Sequence, residues 1–551
     1  TGALISSHFQ YSTNIWELNP IPAANPHQSD CELIYYDVKE KSTSDRSKQI
    51  YRVSNDFTFG EVSGAARFGY DFHNELACKN EEKFEEIVVN IKNGAIKNIK
   101  FNSFITNEEA LILEHLREKF DLNLINNEAL NYQKFLNKFI EFSGLSSYNA
   151  DYTDIKNSDF VISAGSFLRH ESPVTSFKLN NALKMNKVAG IYFHHIADEI
   201  VKKYSKNFIY VAHEAGELEQ ILLFILKNWG ENLPSALTSK LENFDENFGL
   251  DVPALSEGKS KFTLILGSDF YAHENANLLA ALTGVIARAT PFRVMLIPPR
   301  TNSLGVAKIC TLTSEKKPGK TLGYNENGDY KFSIFEGDID ASALNQQEGT
   351  FTSINNALVP TNVAIPHKGY FLNDIANALG LMAKNTIDYT PNLPKEKGYK
   401  GIKFDDLENF YANDGTSHRG YKLEILNFTP NDDIEPLLKD SKSINLKDDE
   451  ALVSLANPIN LPSFFANYAA QTAKRAKLYA SSEFMAKFEI SQNEAIILEK
   501  DGHKLAICVE LDSELGGVAA YLGDYDDKLE VCAIFNGKSY AAVKIIKAKD
   551  E

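Results

Sequence analysis

The chain has 551 residues, which is enough for two to four domains of ordinary size. Hydrophobic residues make up 43% of it and charged residues 24%, as in an ordinary soluble globular protein. The net charge is −17. This charge argues against non-specific binding to nucleic acid, because such binding needs a cationic surface that releases counterions.

The cysteine pattern predicts a reducing compartment. The cysteines are odd in number, widely scattered and form no CxxC pair, so they are not a disulfide framework. They are Cys31, Cys78, Cys310, Cys508 and Cys532. The sequence has no apolar run of the roughly 18 residues that a membrane span needs. It shows no signal peptide and begins at Thr1 without an initiator Met, from which we expect a fragment or a processed form.

In chain order, the first predicted elements belong to a β-rich N-terminal region. Three prolines predict irregular structure over residues 1–30. Two β-rich runs, Glu32–Val38 and Gln49–Ser54, flank a charged loop and predict a hairpin. Thr106–Phe120 and Leu130–Phe142 then show the spacing of amphipathic helices.

Strands and helices alternate most clearly from residue 159 to residue 229. The predicted elements are strand Phe160–Ala164, helix Pro173–Met185, strand Val188–Phe193, helix Ile196–Tyr204, strand Asn207–Ala212 and helix Leu218–Trp229. This alternation indicates a parallel sheet with helices on both faces.

A second α/β unit follows, and β-rich segments end the chain. The unit comprises strand Phe262–Leu266, helix Leu278–Ala289 and strand Arg293–Ile297, followed by weak strand signals over 313–345 and helical patterns over Tyr370–Ala383 and Leu461–Ala486. The β runs Ile490–Leu498, Leu505–Leu511, Leu529–Phe535 and Ala541–Ile546 predict a small barrel or sheet. The predicted fold class is therefore α/β, with parallel sheets, an N-terminal β-hairpin region and a small β-rich C-terminal domain.

Known chemical motifs are incomplete in this sequence. Gly319-Lys320-Thr321 resembles the end of a phosphate-binding loop, but Ser314 stands where that motif has its first glycine, so a solvated loop is the alternative. His213-Glu214 begins like the HExxH zinc motif, but Glu217 replaces the second histidine. Acidic residues at the start of a helix explain this segment without a metal.

Two further patterns concern ligand binding. His194 and His195 are adjacent, and adjacent side chains on a helix point in different directions, so we predict no metal there. Gly165 and Gly267 each follow a predicted strand and precede a helix, at the edge where open α/β sheets usually bind ligands. The alternative is that each glycine only permits a tight turn.

Several segments, taken in order, share the pattern of one family. They are Thr1–Leu4 with Phe9 and Trp16–Leu18, the hairpin Cys31–Ser54, Val62–Asp71, Ser158–Ser166 with Arg169–Val174, Asn302–Gly305, and Gln347–Thr352 with Asn355. Together they resemble the large peripheral subunit of bacterial respiratory complex I, the NADH–quinone oxidoreductase. The segment Ser158–Ser166 is similar to the strand–turn–helix of molybdopterin-oxidoreductase domains. The resemblance weakens beyond residue 390.

The resemblance implies a molybdopterin-oxidoreductase-like fold and a place in the peripheral arm of complex I. It implies 2Fe–2S and 4Fe–4S clusters in an N-terminal part that precedes Thr1, which pass electrons toward quinone. Other peripheral-arm subunits are the expected partners, on the cytoplasmic side of the inner (plasma) membrane, without nucleic acid and without a direct membrane span. The expected domains are 1–75 (a linker and degenerate iron–sulfur or β-hairpin region), 76–255 and 256–486 (α/β), the latter with a helical extension, and 487–551 (β-rich).

One departure from the family predicts that this portion is a scaffold without clusters. Some members hold an extra 4Fe–4S cluster with four cysteines near the hairpin, but here only Cys31 lies in that region and Ser63 stands where the last cysteine would be. A hydroxyl is a poor substitute for a thiolate ligand. We therefore predict no cofactor, no metal and no catalytic residue in this chain, and we interpret Cys508 and Cys532 as small buried hydrophobes in strands.

The alternative is a catalytically active molybdopterin-dependent oxidoreductase. Its cofactor would lie between the sheets near Gly165 and Gly267, and Ser166 or Asp269 would replace a metal-ligating cysteine. On the scaffold hypothesis, Gly165, Ser166 and Gly267 line only a relict pocket.

Overall fold

The computed structural model describes residues 9, 12–42, 44, 46–70, 79–198, 200–213, 217–442, 446–456, 477–513, 515, 517–523, 531–535 and 538–547. The chain forms two compact units. Unit 1 takes its described residues from Thr1–Gln133 and Pro298–Glu424, and unit 2 takes them from Lys134–Ile297, Ile425–Ser463 and Lys474–Glu551.

The N-terminal sheet of unit 1 is antiparallel. After a 3₁₀ turn, Ile15–Glu17, it contains β1 (Asn19–Ala24), β2 (Leu33–Glu40) and β3 (Lys48–Asn55), in the order β1–β2–β3. The predicted hairpin is confirmed. The prediction of irregular structure before residue 30 is wrong, because Pro20 and Pro22 lie in β1. This strand is at the edge, where two prolines two residues apart can both leave their missing N–H on the unpaired side.

The first α/β segment brings two parallel strands and three long helices. The elements are α1 (Gly64–Phe68), α2 (Glu81–Lys92), β4 (Ile96–Phe101), α3 (Asn107–Phe120), β5 (Asn123–Ile125) and α4 (Asn127–Ser143). Thr106 caps α3 by accepting the amide of Glu109 at 3.2 Å, while a Glu109 carboxylate oxygen accepts the Thr106 amide at 2.8 Å. This capping box explains why the predicted helix begins where it does.

Unit 2 is built on a five-stranded parallel sheet. Its elements are α5 (Tyr152–Asn157), β6 (Phe160–Ala164), α6 (Leu168–Glu171), α7 (Pro173–Met185), β7 (Ala189–Phe193), β8 (Phe208–Val211), α8 (Leu218–Trp229), α9 (Ser235–Glu242), α10 (Val252–Ser256), β9 (Phe262–Leu266), α11 (Ser268–Tyr271), α12 (Ala276–Ala289) and β10 (Phe292–Leu296). The strand order is β10–β9–β6–β7–β8. The predicted parallel sheet is confirmed, and β6, β7 and β9 are buried along their whole length.

One helix predicted in this segment does not form. Between β7 and β8 the described residues form the 3₁₀ turn Val201–Lys203 and no α-helix, whereas the sequence predicts a helix over 196–204. A carboxylate oxygen of Asp198 accepts the amides of Ile200 and Val201 at 3.0 and 3.2 Å. This side chain thus takes two backbone donors of the segment, which favours a turn over a helix.

The rest of unit 1 completes its parallel sheet and adds short antiparallel strands. The elements are α13 (Ser303–Ile309), β11 (Lys320–Tyr324), β12 (Tyr330–Ser333), β13 (Ile339–Asp340), β14 (Gly349–Ser353), β15 (Ala357–Thr361), α14 (Leu372–Ala378), 3₁₀ turns at Thr386–Asn392, Lys395–Lys397 and Phe404–Asp406, β16 (Asn409–Tyr411), β17 (Ser417–Arg419) and β18 (Tyr421–Lys422). The sheet order is β13–β12–β11–β4–β5, all parallel. Because Gly319 leads into the strand β11 and not into a helix, the segment is not a phosphate-binding loop.

A closed barrel ends unit 2, which confirms the predicted β-rich C-terminal domain. The elements are α15 (Glu435–Lys439), β19 (Glu450–Leu455), β20 (Lys477–Ala480), α16 (Ser482–Lys487), β21 (Ala495–Lys500), β22 (His503–Leu511), β23 (Ala520–Gly523), α17 (Val531–Phe535) and β24 (Tyr540–Lys547). The barrel order is β19–β23–β20–β22–β21–β24. Its apolar core includes Val453, Leu478, Ile507 and Val543.

Two predictions in this region need correction. The helical pattern over 461–486 falls outside the described residues up to 476, and its end is the strand β20 and the short helix α16. The β run predicted over 529–535 is a helix over its described part, α17, whose Val531, Ile534 and Phe535 pack into the barrel core. Their spacing places them on one helical face, a period that a short apolar run does not reveal.

The compact units are assembled from separate stretches of chain. The sheet of unit 2 takes β6, β7 and β8 from before residue 255 and β9 and β10 from after it. The four domain ranges stay a prediction. Among the described residues, no helix combines the length and the apolar character that crossing a membrane requires.

Candidate functional site

The carboxyl ends of the unit 2 strands bring several loops to one edge of the sheet. From β6 the chain proceeds outward to β8 and then returns to β9 on the other side of β6, with every pairing parallel. The direction of winding therefore reverses between β6 and β9. Open α/β sheets bind ligands outside the carboxyl ends of the strands at such a switch point. Gly165 and Gly267, both singled out from the sequence, begin the two loops that flank it.

The two loops at the switch point lie directly against each other. The amide of Asp269 donates to the carbonyl of Gly165 at 3.1 Å. A Cβ atom on Gly267 would lie 2.3 Å from the Cβ of Ser166, and one on Gly165, whose φ is +65°, would lie 2.5 Å from the ring of Phe270. Both positions therefore require glycine, because a side chain would collide with the facing loop. Gly165 has a second reason to be glycine, which is its left-handed backbone conformation. Atoms of the chain itself fill the space between the loops.

Ser166, the third predicted candidate, is engaged by its own loop. Its hydroxyl donates to Glu171 Oε2 at 2.8 Å, and the amide of Phe167 donates to the same oxygen at 3.1 Å. The hydroxyl of Tyr192 donates to the Ser166 carbonyl at 2.9 Å. Ser166 is only 1% exposed. It is held inside a buried turn and is not presented to a ligand.

Two histidines and one aspartate meet beside the switch point and form what we term the His–His–Asp cluster, His194, His195 and Asp269. One possible ligand atom from each lies within 4.8 Å of those of the other two. Asp269 Oδ2 is 3.5 Å from His194 Nε2 and 3.8 Å from His195 Nδ1. Adjacent side chains diverge on a helix, which is the conformation that the sequence-based prediction assumed for His194 and His195. These two follow the strand β7 in a loop, and there both rings face Asp269.

Hydrogen bonds hold the other ring nitrogens of both histidines. His195 Nε2 is 2.6 Å from the hydroxyl of Ser454 on β19. His194 Nδ1 is 3.0 Å from the carbonyl oxygen and 3.2 Å from the amide nitrogen of Ile196. Phe167 and Tyr192 stack on the His194 ring, with centroid distances of 5.8 and 5.9 Å. Both imidazoles are therefore fixed in orientation.

The barrel packs against the residues of and around the cluster. Besides Ser454, Tyr521 packs against Phe167 with 5.7 Å between ring centroids. Phe167, Ile196 and three barrel-side residues form one apolar cluster. As a result His194 is 1% and Asp269 4% exposed.

Burial and mutual charge set the protonation of the cluster. Burial would raise the pKa of Asp269, but the imidazoles of His194, His195 and His213 hold it below its ordinary value, so the carboxyl is ionised at neutral pH. Burial and the neighbouring His194 lower the pKa of His195 to about 3, so its ring is neutral. Burial also acts to lower the pKa of His194, but the facing Asp269 carboxylate outweighs burial and raises it.

This arrangement can hold a cation between its three side chains. Asp269 Oδ2 and His195 Nδ1 are buried; the carboxylate oxygen faces the His194 ring at 3.5 Å, and His195 Nδ1 makes no hydrogen bond to a residue that the structure describes. A buried carboxylate oxygen is costly unless a proton or a metal ion faces it. Two imidazoles and one carboxylate form a ligand set for divalent first-row metals. With His194 protonated, the same groups form a buried ion pair.

The zinc-protease pattern at His213 is not built. The helix α8 begins only at Leu218, so His213 precedes it, and Glu214 lies outside the described residues. The His213 ring nevertheless lies 6.0 Å from that of His195. No sequence signal pointed to Ser454, because it lies 259 residues from His195 in a strand of the barrel.

The cysteines among the described residues serve no common site. Cys31 and Cys310 are buried, and their thiols donate to the backbone carbonyls of Thr301 and Ala110 at 3.6 and 3.4 Å. The prediction that Cys508 is buried is wrong, because the alternation of β22 turns Ile507 and Val509 inward and Cys508 to solvent.

Three further positions were part of the predictions about cysteines, namely Cys532, Cys78 and Ser63. Cys532 lies in the helix α17 and not in a strand. Cys78 lies outside the described residues. Ser63, which stands at the position of the last quartet cysteine, caps α1 by accepting the amide of Ala66 at 3.3 Å.

Comparison with known proteins supports the fold class. No family model matches the sequence, and no curated protein matches it. Among solved structures, acetylene hydratase from Pelobacter acetylenicus is similar to this chain, with a TM-score of 0.56 and 9% sequence identity, over 91% of this chain and 92% of that one. That structure has a molybdopterin-type oxidoreductase fold, so the predicted molybdopterin-oxidoreductase-like α/β fold is confirmed. At 9% identity the likeness concerns the fold alone.

The resemblance to the large peripheral subunit of complex I is wrong. A solved structure similar to this chain is acetylene hydratase, and neither a family model nor a curated protein connects the sequence with an NADH–quinone oxidoreductase. The segment Ser158–Ser166 shows why the resemblance misled: it is the strand β6 with its turn, which the fold itself requires. The cofactors and partners implied by that resemblance stay untested predictions.

Proposed function

We propose that this chain is an oxidoreductase of the molybdopterin type, the alternative that the sequence left open. The observation that carries the proposal is the fold likeness, which extends over nine-tenths of both chains. Within it, this chain builds a parallel sheet with a switch point and a closed barrel. Because one fold can host many activities, the site must be weighed separately.

The described residues at the switch point do not fit a pterin-bound metal. Ser166 and Asp269 were the predicted substitutes for a cysteine ligand. The Ser166 hydroxyl is bonded to Glu171, and Asp269 is enclosed by His194 and His195 beneath the barrel. Both side chains are buried against these neighbours, unlike an open ligand to a pterin-bound metal. We therefore assign these residues no step in catalysis.

That closure favours a second candidate, a cofactor-free structural role on the same fold. Gly165 packs against Phe270 and Gly267 against Ser166 at the switch point, where an open sheet of this topology usually binds its ligand. In this role the chain contributes surface and stability to an assembly and no chemistry of its own.

Metal and pterin analysis separates the two candidates. The chain is expressed in a host that synthesises molybdopterin and is supplied with molybdate and tungstate, beside a known molybdopterin enzyme that reports on the host. The oxidoreductase proposal expects stoichiometric molybdenum or tungsten, together with oxidised pterin released on denaturation. Absence of both from this chain, with the reference enzyme loaded, overturns it in favour of the structural role.

A further inference from the structure

We propose that the His–His–Asp cluster of His194, His195 and Asp269 is a binding site for one divalent first-row metal ion, with Zn²⁺ the ion that it suits best. The site needs no pterin and draws its ligands from unit 2 alone, so it does not depend on the proposed function. It also departs from the sequence-based prediction that this chain holds no metal.

The number and spacing of the donors fit a single ion. Zinc forms bonds of about 2.0–2.2 Å to imidazole nitrogen and carboxylate oxygen, so donors around one ion lie roughly 3–4 Å apart. Asp269 Oδ2 lies 3.5 and 3.8 Å from the facing nitrogens of His194 and His195. Among the described residues, this is the one group of three such side chains with its donor atoms this close.

Buried polar atoms point into the space between the three residues. Asp269 is 4% exposed, and its Oδ2 faces ring nitrogens of His194 and His195 at 3.5 and 3.8 Å; His195 Nδ1 is buried and makes no hydrogen bond to a described residue. Orphaned buried donors and acceptors are rare in folded proteins and call for a water or an ion as their partner. A divalent cation satisfies the carboxylate and the imidazole at once.

The outer contacts are those of orienting groups in metal sites. Histidine ligands usually engage the second ring nitrogen with a carboxylate, a backbone carbonyl or water. His194 Nδ1 lies 3.0 Å from the carbonyl of Ile196, and His195 Nε2 lies 2.6 Å from Ser454 Oγ. These bonds leave His194 Nε2 and His195 Nδ1 to face Asp269.

Ser454, His195 and Asp269 are neighbours in space in that order, which is the sequence of contacts serine, histidine, aspartate in acyl-transfer enzymes. In this cluster His195 Nδ1 and Asp269 Oδ2 are 3.8 Å apart, beyond hydrogen-bond distance, and Ser454 is 5% exposed within a strand. The geometry therefore makes Ser454 a positioning residue for His195 and not a nucleophile.

A metal here would join three parts of unit 2. His194 and His195 follow β7, Asp269 follows β9, and β6 lies between those strands. Through Ser454 the site also reaches β19 of the barrel. Binding to the folded chain alone raises thermal stability with metal concentration.

Titration of the chelator-treated full chain with Zn²⁺ tests the proposal directly. We expect one high-affinity ion per chain by calorimetry, and a higher melting temperature when Zn²⁺ is added. X-ray absorption of the zinc-loaded chain should show scattering from two imidazole rings and from a carboxylate oxygen at about 2.0–2.2 Å from the metal. Because this spectrum is recorded on the unaltered chain, it tests the proposal even if a variant fails to fold.

Matched variants assign the ion to this cluster. Asp269→Asn keeps the shape of the side chain and is expected to weaken Zn²⁺ binding more than about 100-fold, while Ser454→Ala should weaken it about 10–100-fold, as loss of an orienting group does. His503→Ala removes an exposed histidine of β22 and should leave binding unchanged.

Three results would overturn the proposal. The first is an unaltered chain that binds no Zn²⁺. The second is binding that Asp269→Asn leaves intact, which would mean an adventitious surface site. The third is covalent labelling of Ser454 by a fluorophosphonate, which would assign the cluster to acyl transfer.

Discussion

Single residues decide the chemistry of the sheet edge in unit 2. Gly165 allows the loop after β6 to turn with positive φ and lets Phe270 lie directly against it. Asp269 and the two histidines are buried together, so each sets the protonation of the others. The sequence could propose Gly165 as a turn because a strand precedes it and a helix follows. It could not predict the contact with Phe270, which belongs to the helix α11, far from Gly165 in the sequence.

The conformation of Gly165 predicts a cost for any side chain there. Gly165→Val should lower the free energy of unfolding by about 1–3 kcal/mol, because valine resists positive φ and its Cβ would overlap the ring of Phe270. Gly249→Val is the matched control, since Gly249 has φ +67° but nothing within 4 Å of an added Cβ. Denaturant unfolding should show a larger loss at Gly165. Equal losses would contradict the packing against Phe270.

Buried His27 in unit 1 predicts an acid sensitivity. It is 2% exposed, and burial lowers its pKa from the ordinary 6.5 to about 3. Below pH 6.5 the unfolded chain binds a proton that the folded chain excludes, so stability present above that pH is lost as pH falls toward 3. Between pH 6.5 and pH 5 the loss is about 2 kcal/mol, at 1.36 kcal/mol per pH unit.

His27→Gln tests this linkage. The variant should lose about 2 kcal/mol less unfolding free energy than the unaltered chain between pH 7.5 and pH 5, as measured by denaturant titration at both pH values. The idea fails if His27→Gln and the unaltered chain lose the same unfolding free energy over this pH range.

At the scale of elements, sequence patterns located the buried strands and long helices well. Strands β6 and β9 and helices α7 and α8 begin and end where predicted. In each of them the pattern of apolar residues stops at polar or turn-forming residues, and these mark the ends of the element. The failures have local causes. Prolines are compatible with the edge strand β1, and the apolar residues of α17 form a helical face that looks like a strand in a short window.

The missing helix over 196–204 has a cause that can be measured. Asp198 accepts two backbone amides and also pairs with Arg169 at 3.2 Å, with its own side chain fully buried. Asp198→Ala should destabilise the chain by about 2–3 kcal/mol, because two amides lose their acceptor. Asp198→Asn keeps an acceptor oxygen and should cost about 1 kcal/mol, since Arg169 is partly exposed.

Asp251→Ala is the control for this comparison. Asp251 caps α10 by accepting the amide of Ala254 at 3.3 Å, but at an exposed position, so its loss should cost about 1 kcal/mol or less. Thermal unfolding of the three variants ranks them. Equal effects of Asp198→Ala and Asp251→Ala would show that the buried turn is not held by its side chain.

At the scale of the whole molecule, the sequence predicted the kinds of layers but not which segments share them. Alternating strands and helices predict parallel sheets by a general packing rule, and short terminal strands predict a barrel. The return of β9 to the far side of β6, and the contact of Ser454 with His195, depend on segments far apart in the chain. The candidate cluster arises from that topology. The sequence analysis could name His194, His195 and Asp269 individually, but it could not predict that they lie next to one another in the fold.

The arrangement of the cysteines predicts that the isolated chain holds no iron–sulfur cluster. Each iron needs several ligands, most often thiolates, within a few ångströms. Cys31 and Cys310 are buried as thiols, burial raises the pKa of both, and each donates to a backbone carbonyl. Cys508 lies exposed on the barrel of unit 2. No group of donors that includes a cysteine is found among the described residues.

Anaerobic purification, followed by incubation with ferrous iron, sulfide and a reductant, tests this prediction. After desalting we expect iron and sulfide well below stoichiometric amounts and no charge-transfer absorption in the visible. A Cys31→Ala variant treated in the same way is the control, and it should give the same spectrum because its thiol is not a ligand. A stable cluster that disappears in Cys31→Ala would contradict both the burial of that thiol and its pairing with Thr301. A stable cluster that persists would instead place the ligands among cysteines outside the described residues, such as Cys78, and would move the chain from cofactor-free to electron-carrying.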